Sequence, residues 1–271
     1  MRITTSILLV TLSVLASVTS AAAQVAINKF YYTPWKRPGQ YFHAYDIQVL
    51  GNVSPNEFLM VASVPARNPT WMSESACSVF RSDGTDRGTK FLYELYPAAC
   101  GTISQGKAVV NGAFFVGMRG AQASSWQVPG SGNGAWAISP TAAIQLFPTS
   151  KEDNVGPDNF TSLPDGTVYF TASNAEVGNE LWVTQGTVAS TKLVGDIRKG
   201  RGGSEISLLT PFNRTVYFVA NDGVTGAELW RVGSSGKAEL FKDFNTTQSR
   251  GSSFTSMLAF GPLLLLSLIH I

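Results

Sequence analysis

One segment returns along this chain and limits what it can fold into. Glu180-Leu181-Trp182-Val183-Thr184-Gln185-Gly186-Thr187, followed by Leu193-Val194-Gly195-Asp196-Ile197, has a counterpart that begins at Glu228-Leu229-Trp230. The interval from Phe170 to Phe218 equals the interval from Trp182 to Trp230. A unit of about fifty residues cannot bury both faces of its own sheet, so such units fold by packing on copies of themselves.

Each unit reads as four short strands. In the fourth unit these run over 207–212, 216–220, 228–232 and 237–243, with a tight turn at 213–215, a loop at 221–227 and a Gly/Ser turn at 233–236. The runs are rich in β-branched and aromatic residues and bounded by turn formers. The third unit repeats the order at 168–172, 180–184 and 192–197. The first aligns with it without gaps over 88–102 against 190–204; its turn is Ser82-Asp83-Gly84-Thr85 and Phe80 fills the tryptophan column. In the second unit Trp126 imitates the marker, but 134–147 aligns ungapped with 228–241, which makes Trp136 the equivalent. No long 3.6-residue apolar period occurs outside the N-terminal segment. The pattern predicts an all-β chain: a β-propeller of four-stranded antiparallel blades at about 44–101, 102–151, 152–198 and 199–246, with a truncated fifth at 247–265. A solenoid of hairpins is the competing arrangement.

Glu180-Leu181-Trp182-x-x-x-Gly186-Thr187, Leu193-Val194-x-Asp196-Ile197 and Phe218-x-Ala220-x-Asp222-Gly223-x-x-Gly226-x-Glu228-Leu229-Trp230 resemble the ELWxxDGT repeat family. The resemblance covers about residues 44–265 and implies extracytoplasmic, β-propeller-like repeats of the kind found in large exported proteins. The complete Asp-Gly-Thr turn stands only at Asp83-Gly84-Thr85. Gln185 replaces the aspartate in the third unit, and Gly233-Ser234-Ser235 occupies the turn of the fourth. A repeated ion ligand would persist, so the aspartate reads as a turn former, and neither a metal nor a cofactor is expected.

The flanks differ from the repeats. Arg2, the apolar run 7–18 and Ala21-Ala22-Ala23 before Gln24 form a signal-peptide pattern over 1–23, with cleavage between Ala23 and Gln24. The run is shorter than the roughly 20 residues a membrane span needs. Residues 24–43 hold Phe30, Tyr31, Tyr32, Trp35, Tyr41 and Phe42, out of register with the repeat, and read as a lead-in or closing segment. Leu266-Ser267-Leu268-Ile269-His270-Ile271 is what CTG TCT CTT ATA CAC ATC, a transposon-based sequencing adapter, encodes. Residues 266–271 therefore read as foreign and the fifth unit as cut short. A hydrophobic anchor beginning at Leu258 is the alternative.

Charged residues are 14% of the chain and the net charge is +2, which argues against a nucleic-acid partner or an acidic membrane surface. The basic run Arg198-Lys199-Gly200-Arg201 reads as a solvated loop. In an exported chain, the two cysteines, Cys77 and Cys100, read as a disulfide. Cys77 enters the third strand of its unit and Cys100 follows the fourth, so both fall at one blade end. Sequons stand at Asn52, Asn159, Asn213 and Asn245.

The means for catalysis are sparse. His43 is the one histidine before the last six residues, and no G-x-S-x-G accompanies it. Asp196, Asp243 and Glu94 share one column at the end of the fourth strand and read as structural. Asp86-Arg87-Gly88-Thr89-Lys90-Phe91 partly resembles the Asp-box of sialidase propellers, without its leading serine and its tryptophan.

Loop lengths carry more. Phe170 to Trp182 and Phe218 to Trp230 are 12 apart, against 20 for Met60 to Phe80 and 21 for Phe115 to Trp136. Units one and two thus carry insertions of about eight residues between strands two and three, side by side on one rim. They contain Arg67, Trp71, Arg119 and Trp126, residue types that dominate binding hot spots and sit here on loops of a rigid scaffold. The competing reading is that Trp71 and Trp126 pin their own loops to the blades. The expectation is a secreted or cell-surface, non-catalytic binding module for a protein or glycan partner, with no stable membrane span. The alternatives are a carbohydrate-active (glycosidase- or sialidase-like) propeller and a purely structural repeat.

Overall fold

The computed structural model describes residues 31–32, 42–70, 73–85, 87–96, 100–119, 134–148, 156–245 and 251–269. It is all-β: no α-helix occurs among these residues, and the one helical turn is the 3-10 segment Val188–Ser190. The signal segment and its Ala23–Gln24 cleavage position lie outside the described residues.

Four antiparallel four-stranded sheets follow one another, each with its strands in chain order. The first holds β3 (Tyr45–Ser54), β4 (Glu57–Thr70), β5 (Ser73–Ser82) and β6 (Lys90–Tyr96); the second holds β7 (Thr102–Val110), β8 (Ala113–Arg119), β9 (Gly134–Ile138) and β10 (Ala143–Pro148). The third holds β11 (Asp158–Ser162), β12 (Val168–Asn174), β13 (Gly178–Thr184) and β14 (Lys192–Gly195); the fourth holds β15 (Ser207–Phe212), β16 (Thr215–Asn221), β17 (Ala227–Val232) and β18 (Ala238–Lys242). A hairpin of β19 (Ser253–Phe260) and β20 (Leu263–Ile269) comes after them, and a short pair, β1 (Tyr31–Tyr32) with β2 (Phe42–His43), precedes them.

The inner strands of the second and third sheets are apolar on both faces because each of these sheets is packed on both sides. Phe114, Val116 and Met118 of β8 pack with Trp136 and Ile138 against Leu59, Val61 and Val79 of the first sheet. On the opposite side of the second sheet, Phe115, Ala135 and Ala137 pack against Phe160, Phe170 and Trp182 of the third. Tyr169, Leu181 and Val194 on the far face of the third sheet then meet Val216, Phe218 and Val232 of the fourth. The sheets are therefore stacked face to face in chain order. The first strands adjoin across the stack: β11 lies beside both β7 and β15, and β15 beside β19.

The strand register sharpens the repeat. Met60 pairs with Phe80, Phe170 with Trp182 and Phe218 with Trp230, and Trp136 holds the same column in the second sheet. Its partner, however, is Val116; Phe115 pairs with Ala137 and faces the third sheet instead. The expected Phe115–Trp136 interval is corrected by one residue, because Phe114 and Phe115 are adjacent aromatics that point to opposite faces. With Val116 in place, the intervals Met60–Phe80 and Val116–Trp136 of the first two sheets are equal. Both are longer than Phe170–Trp182 and Phe218–Trp230, which also equal each other. A β-bulge follows the marker in the fourth strand of every sheet, at Leu92, Leu146, Val194 and Phe241, which adds local twist at the same position each time.

Candidate functional site

Antiparallel order gives each sheet two unlike ends. One carries the tight turns between strands one and two and between strands three and four; it is the turn end. The other carries the connections between strands two and three and the passages from one sheet to the next; it is the crossover end.

The expected binding residues belong to the crossover end. Arg67 lies in β4, whose hairpin with β5 extends to the Thr70–Ser73 pair. The side chain of Arg67 and the whole of Trp71 and Trp126 lie outside the described residues. Arg119 is the exposed last residue of β8 and pairs with Thr102. Its side chain lies over Gly156: a Cβ there would come within 2.7 Å of Arg119 Nε. His43 is in β2, with its side chain outside the described residues.

Buried carboxylates hold this end together. Glu180 is wholly buried; its Oε2 accepts from Ser204 Oγ at 2.5 Å and its Oε1 from the Arg198 amide at 3.3 Å. Glu228 repeats the arrangement, accepting from the Phe244 amide at 2.8 Å and from Ser252 Oγ at 3.2 Å. Each serine lies 24 residues after its glutamate, where the chain enters the next sheet. The residue before each serine is a left-handed glycine pressed on backbone: a Cβ at Gly203 would sit 2.7 Å from Asn179 N, and one at Gly251 2.1 Å from Ala227 N. Burial pushes the Glu180 carboxyl up. The Ser204 hydroxyl and the Arg198 and Ile197 amides oppose that shift, while the nearby Asp196 charge adds to it.

The other crossovers use different chemistry. From the first sheet to the second, Cys77 and Cys100 form the expected disulfide, both buried. The Gln48 amide brackets the same passage, donating to Gly101 O at 2.6 Å and accepting from the Ile103 amide at 2.7 Å. From the second sheet to the third, Gly134 stands in the glutamate column. Here the chain rests on Gly117, where a Cβ would collide with Pro157 O. The role of Glu180 and Glu228 is not apparent from sequence reading. The available signal is a shared glutamate followed, at the same distance each time, by Gly203-Ser204 and Gly251-Ser252.

Among the sequons, Asn52, Asn159 and Asn213 are exposed and Asn245 is half-buried. The amide nitrogens of Asn159 and Asn245, the atoms a glycan would modify, donate to Thr171 Oγ1 and Gly251 O, each at 3.2 Å.

The turn end holds the expected Asp83-Gly84-Thr85 turn together with features that sequence reading passed over. Asp83 Oδ1 accepts from the amide and hydroxyl of Thr85 at 2.9 and 2.7 Å, and the Thr85 hydroxyl bond is the main reason its carboxyl lies below the usual range. Tyr93 donates to Ser139 O across the first two sheets at 2.5 Å, and burial pushes its phenol up to about 12. Beside the adjoining first strands, the turns of the second, third and fourth sheets surround a cavity of about 650 Å³. Asn111, Ser162, Asp165, Asn213 and Arg214 contribute its polar groups. A second cavity of about 460 Å³ runs between the second and third sheets to Ser139 and Gln185, sharing Asn111 and Asp165 with the first.

No helix among the described residues is long and apolar enough to cross a membrane. No family model and no curated protein matches the chain. Among solved structures, a puromycin hydrolase mutant complexed with PGG is 13% identical with a TM-score of 0.41, over 83% of this chain and 32% of that one. The chain thus spans about a third of that hydrolase. A structure from the GH130 family of mannoside phosphorylases, which contains glycoside hydrolases that target β-1,2 mannosidic linkages in Candida mannan, is 9% identical with a TM-score of 0.29, over 79% of this chain and 72% of that one.

Proposed function

We propose that this chain is a secreted or cell-surface β-propeller module of the ELWxxDGT type, non-catalytic, that binds a protein or glycan partner through the loops of its crossover end. Sheets stacked face to face with adjoining first strands suit blades around an axis. A buried disulfide suits an oxidising compartment. The observation that carries the binding reading is the interval between paired markers, which is matched in the first two sheets and longer there than in the next two. Two insertions of equal length thus belong to the first two sheets of a frame whose crossovers are held by the disulfide and the Glu180 and Glu228 bonds. Rigid scaffolds that carry extended loops with Arg and Trp are a common design for recognition.

The test is a panel of glycans and extracellular-matrix proteins presented to the wild type and to Trp71→Ala/Trp126→Ala. Loss of capture with an unchanged unfolding midpoint supports the reading. A collapsed variant places both tryptophans in loop packing and removes the binding role. Turnover of a glycan would replace the module with a carbohydrate-active enzyme.

A further inference from the structure

The turn-end cavity is distinct from the crossover loops and has its own chemistry. Two of the turns beside it are two-residue hairpin loops with both central residues at positive φ: Asn111 and Gly112 at 49° and 76°, Asn213 and Arg214 at 48° and 61°. This is the type I′ geometry, whose preferred sequence is Asn-Gly. Asn111-Gly112 obeys that preference. Asn213-Arg214 puts a long cationic side chain where glycine fits without strain. Local rules are broken most often where a site needs a particular side chain. Arg214 lines the cavity, is exposed, and has no ion-pair partner among the described residues.

We infer that this cavity binds an acidic oligosaccharide built of uronic acid units, with Arg214 pairing one sugar carboxylate. A guanidinium is the side chain best matched to a carboxylate, through two parallel N–H···O bonds. The amides of Asn111 and Asn213 and the hydroxyl of Ser162 both donate and accept, as sugar hydroxyls require. Asp165 spends Oδ1 on the Thr167 amide at 2.9 Å and keeps Oδ2 for a hydroxyl. Pro211 and Phe212 supply an apolar wall for a sugar's C–H face. The cavity falls within the roughly 300–1,000 Å³ typical of ligand sites. Its continuation toward Gln185 favours a chain of sugars over a single one. A peptide fits less well. The third-sheet turn has its backbone spent internally, Leu163 N on Thr167 O and Gly166 N on Leu163 O, so it offers no open strand edge to a peptide.

Titration calorimetry with tetragalacturonate, its methyl ester and a peptide with a free C-terminal carboxylate tests this. Tetragalacturonate is expected to bind, and the ester at least tenfold more weakly. Arg214→Gly is expected to lose at least tenfold in affinity while its thermal midpoint stays level or rises, because the strained turn is relieved. Arg201→Ala, at an exposed cation of the passage from the third sheet to the fourth that does not line the cavity, is expected to bind tetragalacturonate as the wild type does, which separates this site from a general charge effect. Any of four results overturns the inference: no binding of tetragalacturonate, equal binding of the ester, preference for the peptide, or an Arg214→Gly protein that binds normally or melts lower.

Discussion

Ser78 stands in the first sheet where Glu180 stands in the third, two residues before the marker aromatic in each case. Both are buried, but Glu180 reaches Ser204 in the next sheet whereas the Ser78 hydroxyl has no hydrogen-bond partner. Beside Ser78, the same kind of junction is closed by Cys77 and Cys100, 23 residues apart in the chain. One repeat thus fastens equivalent crossovers by a carboxylate in two places and by a covalent bond in a third. The disulfide stands at one of the two crossovers that lack the glutamate; at the other, where Gly134 holds the column, the chain rests on Gly117 instead.

Removing the disulfide should therefore cost more than a surface change would. Cys77→Ala/Cys100→Ala is expected to lower stability by about 3 kcal/mol in urea denaturation, on the loop-entropy relation for a ring of this size. A loss under about 1 kcal/mol would mean that the Gln48 bonds to Gly101 and Ile103 hold the crossover by themselves.

The glutamate clamp predicts strong coupling between residues distant in sequence. Glu180→Ala leaves the Ser204 hydroxyl and the Arg198 amide without their acceptor and should cost about 3 kcal/mol; Ser204→Ala should cost about 1.5 kcal/mol. In a double-mutant cycle the two costs should fall short of additivity by about 1 kcal/mol or more. Additive losses would show that the two side chains act separately.

The strands themselves are largely legible in the sequence, because apolar runs such as Val216-Tyr217-Phe218-Val219-Ala220 are set off by Asn-Arg and Asp-Gly turns. The choice of Trp136 over Trp126 as the marker is legible too, since an ungapped alignment forces it. Its partner is not: adjacent Phe114 and Phe115 offer the same residue type to both faces, and only pairing selects Val116. The clamps escape sequence reading because their partners meet across sheets. The turn-end cavity escapes it because three separate turns become neighbours only after stacking. Arg119 alone among the expected binding residues has a described side chain, so the crossover-loop reading rests on spacing rather than on geometry.

The pH dependence should carry two opposite signatures. The Glu180 carboxyl is raised in the folded state, chiefly by burial, so the folded chain holds its proton more tightly than the unfolded chain does. Its contribution is full below the ordinary value of 4.5 and is lost as pH rises through the raised folded value. Asp222 behaves in reverse. Burial pushes its carboxyl up, but the amides of Val224 and Thr225 and the Thr225 hydroxyl prevail and hold it below 3.8. Its contribution is present above that value and lost as pH falls through the lower folded one. In urea midpoints from about pH 3 to pH 8, Glu180→Gln should flatten the decline above the ordinary carboxylate range, and Asp222→Asn the decline in acid. Unchanged profiles in both variants would contradict the assignment.

The turn after the third strand predicts a compensating pair. Asp83 Oδ1 accepts from the Thr85 amide and hydroxyl, and a Cβ on Gly88 would lie 1.9 Å from that same oxygen. In the third sheet Gln185 replaces the aspartate and Ser190 the glycine. There Ser190 Oγ accepts from the Gln185 amide at 3.0 Å and the Thr187 amide at 3.2 Å. The Asp83 carboxylate thus fills the space that the Ser190 side chain fills in the third sheet, and the two solutions exclude each other. Gly88→Ser alone should destabilise by about 1–3 kcal/mol through overpacking, and Asp83→Gln alone by about 1 kcal/mol through lost hydrogen bonds. Asp83→Gln/Gly88→Ser should be more stable than the Gly88→Ser protein, since it rebuilds the turn seen at 184–191. A double variant at least as unstable as the sum of the two would show that the positions do not share one space.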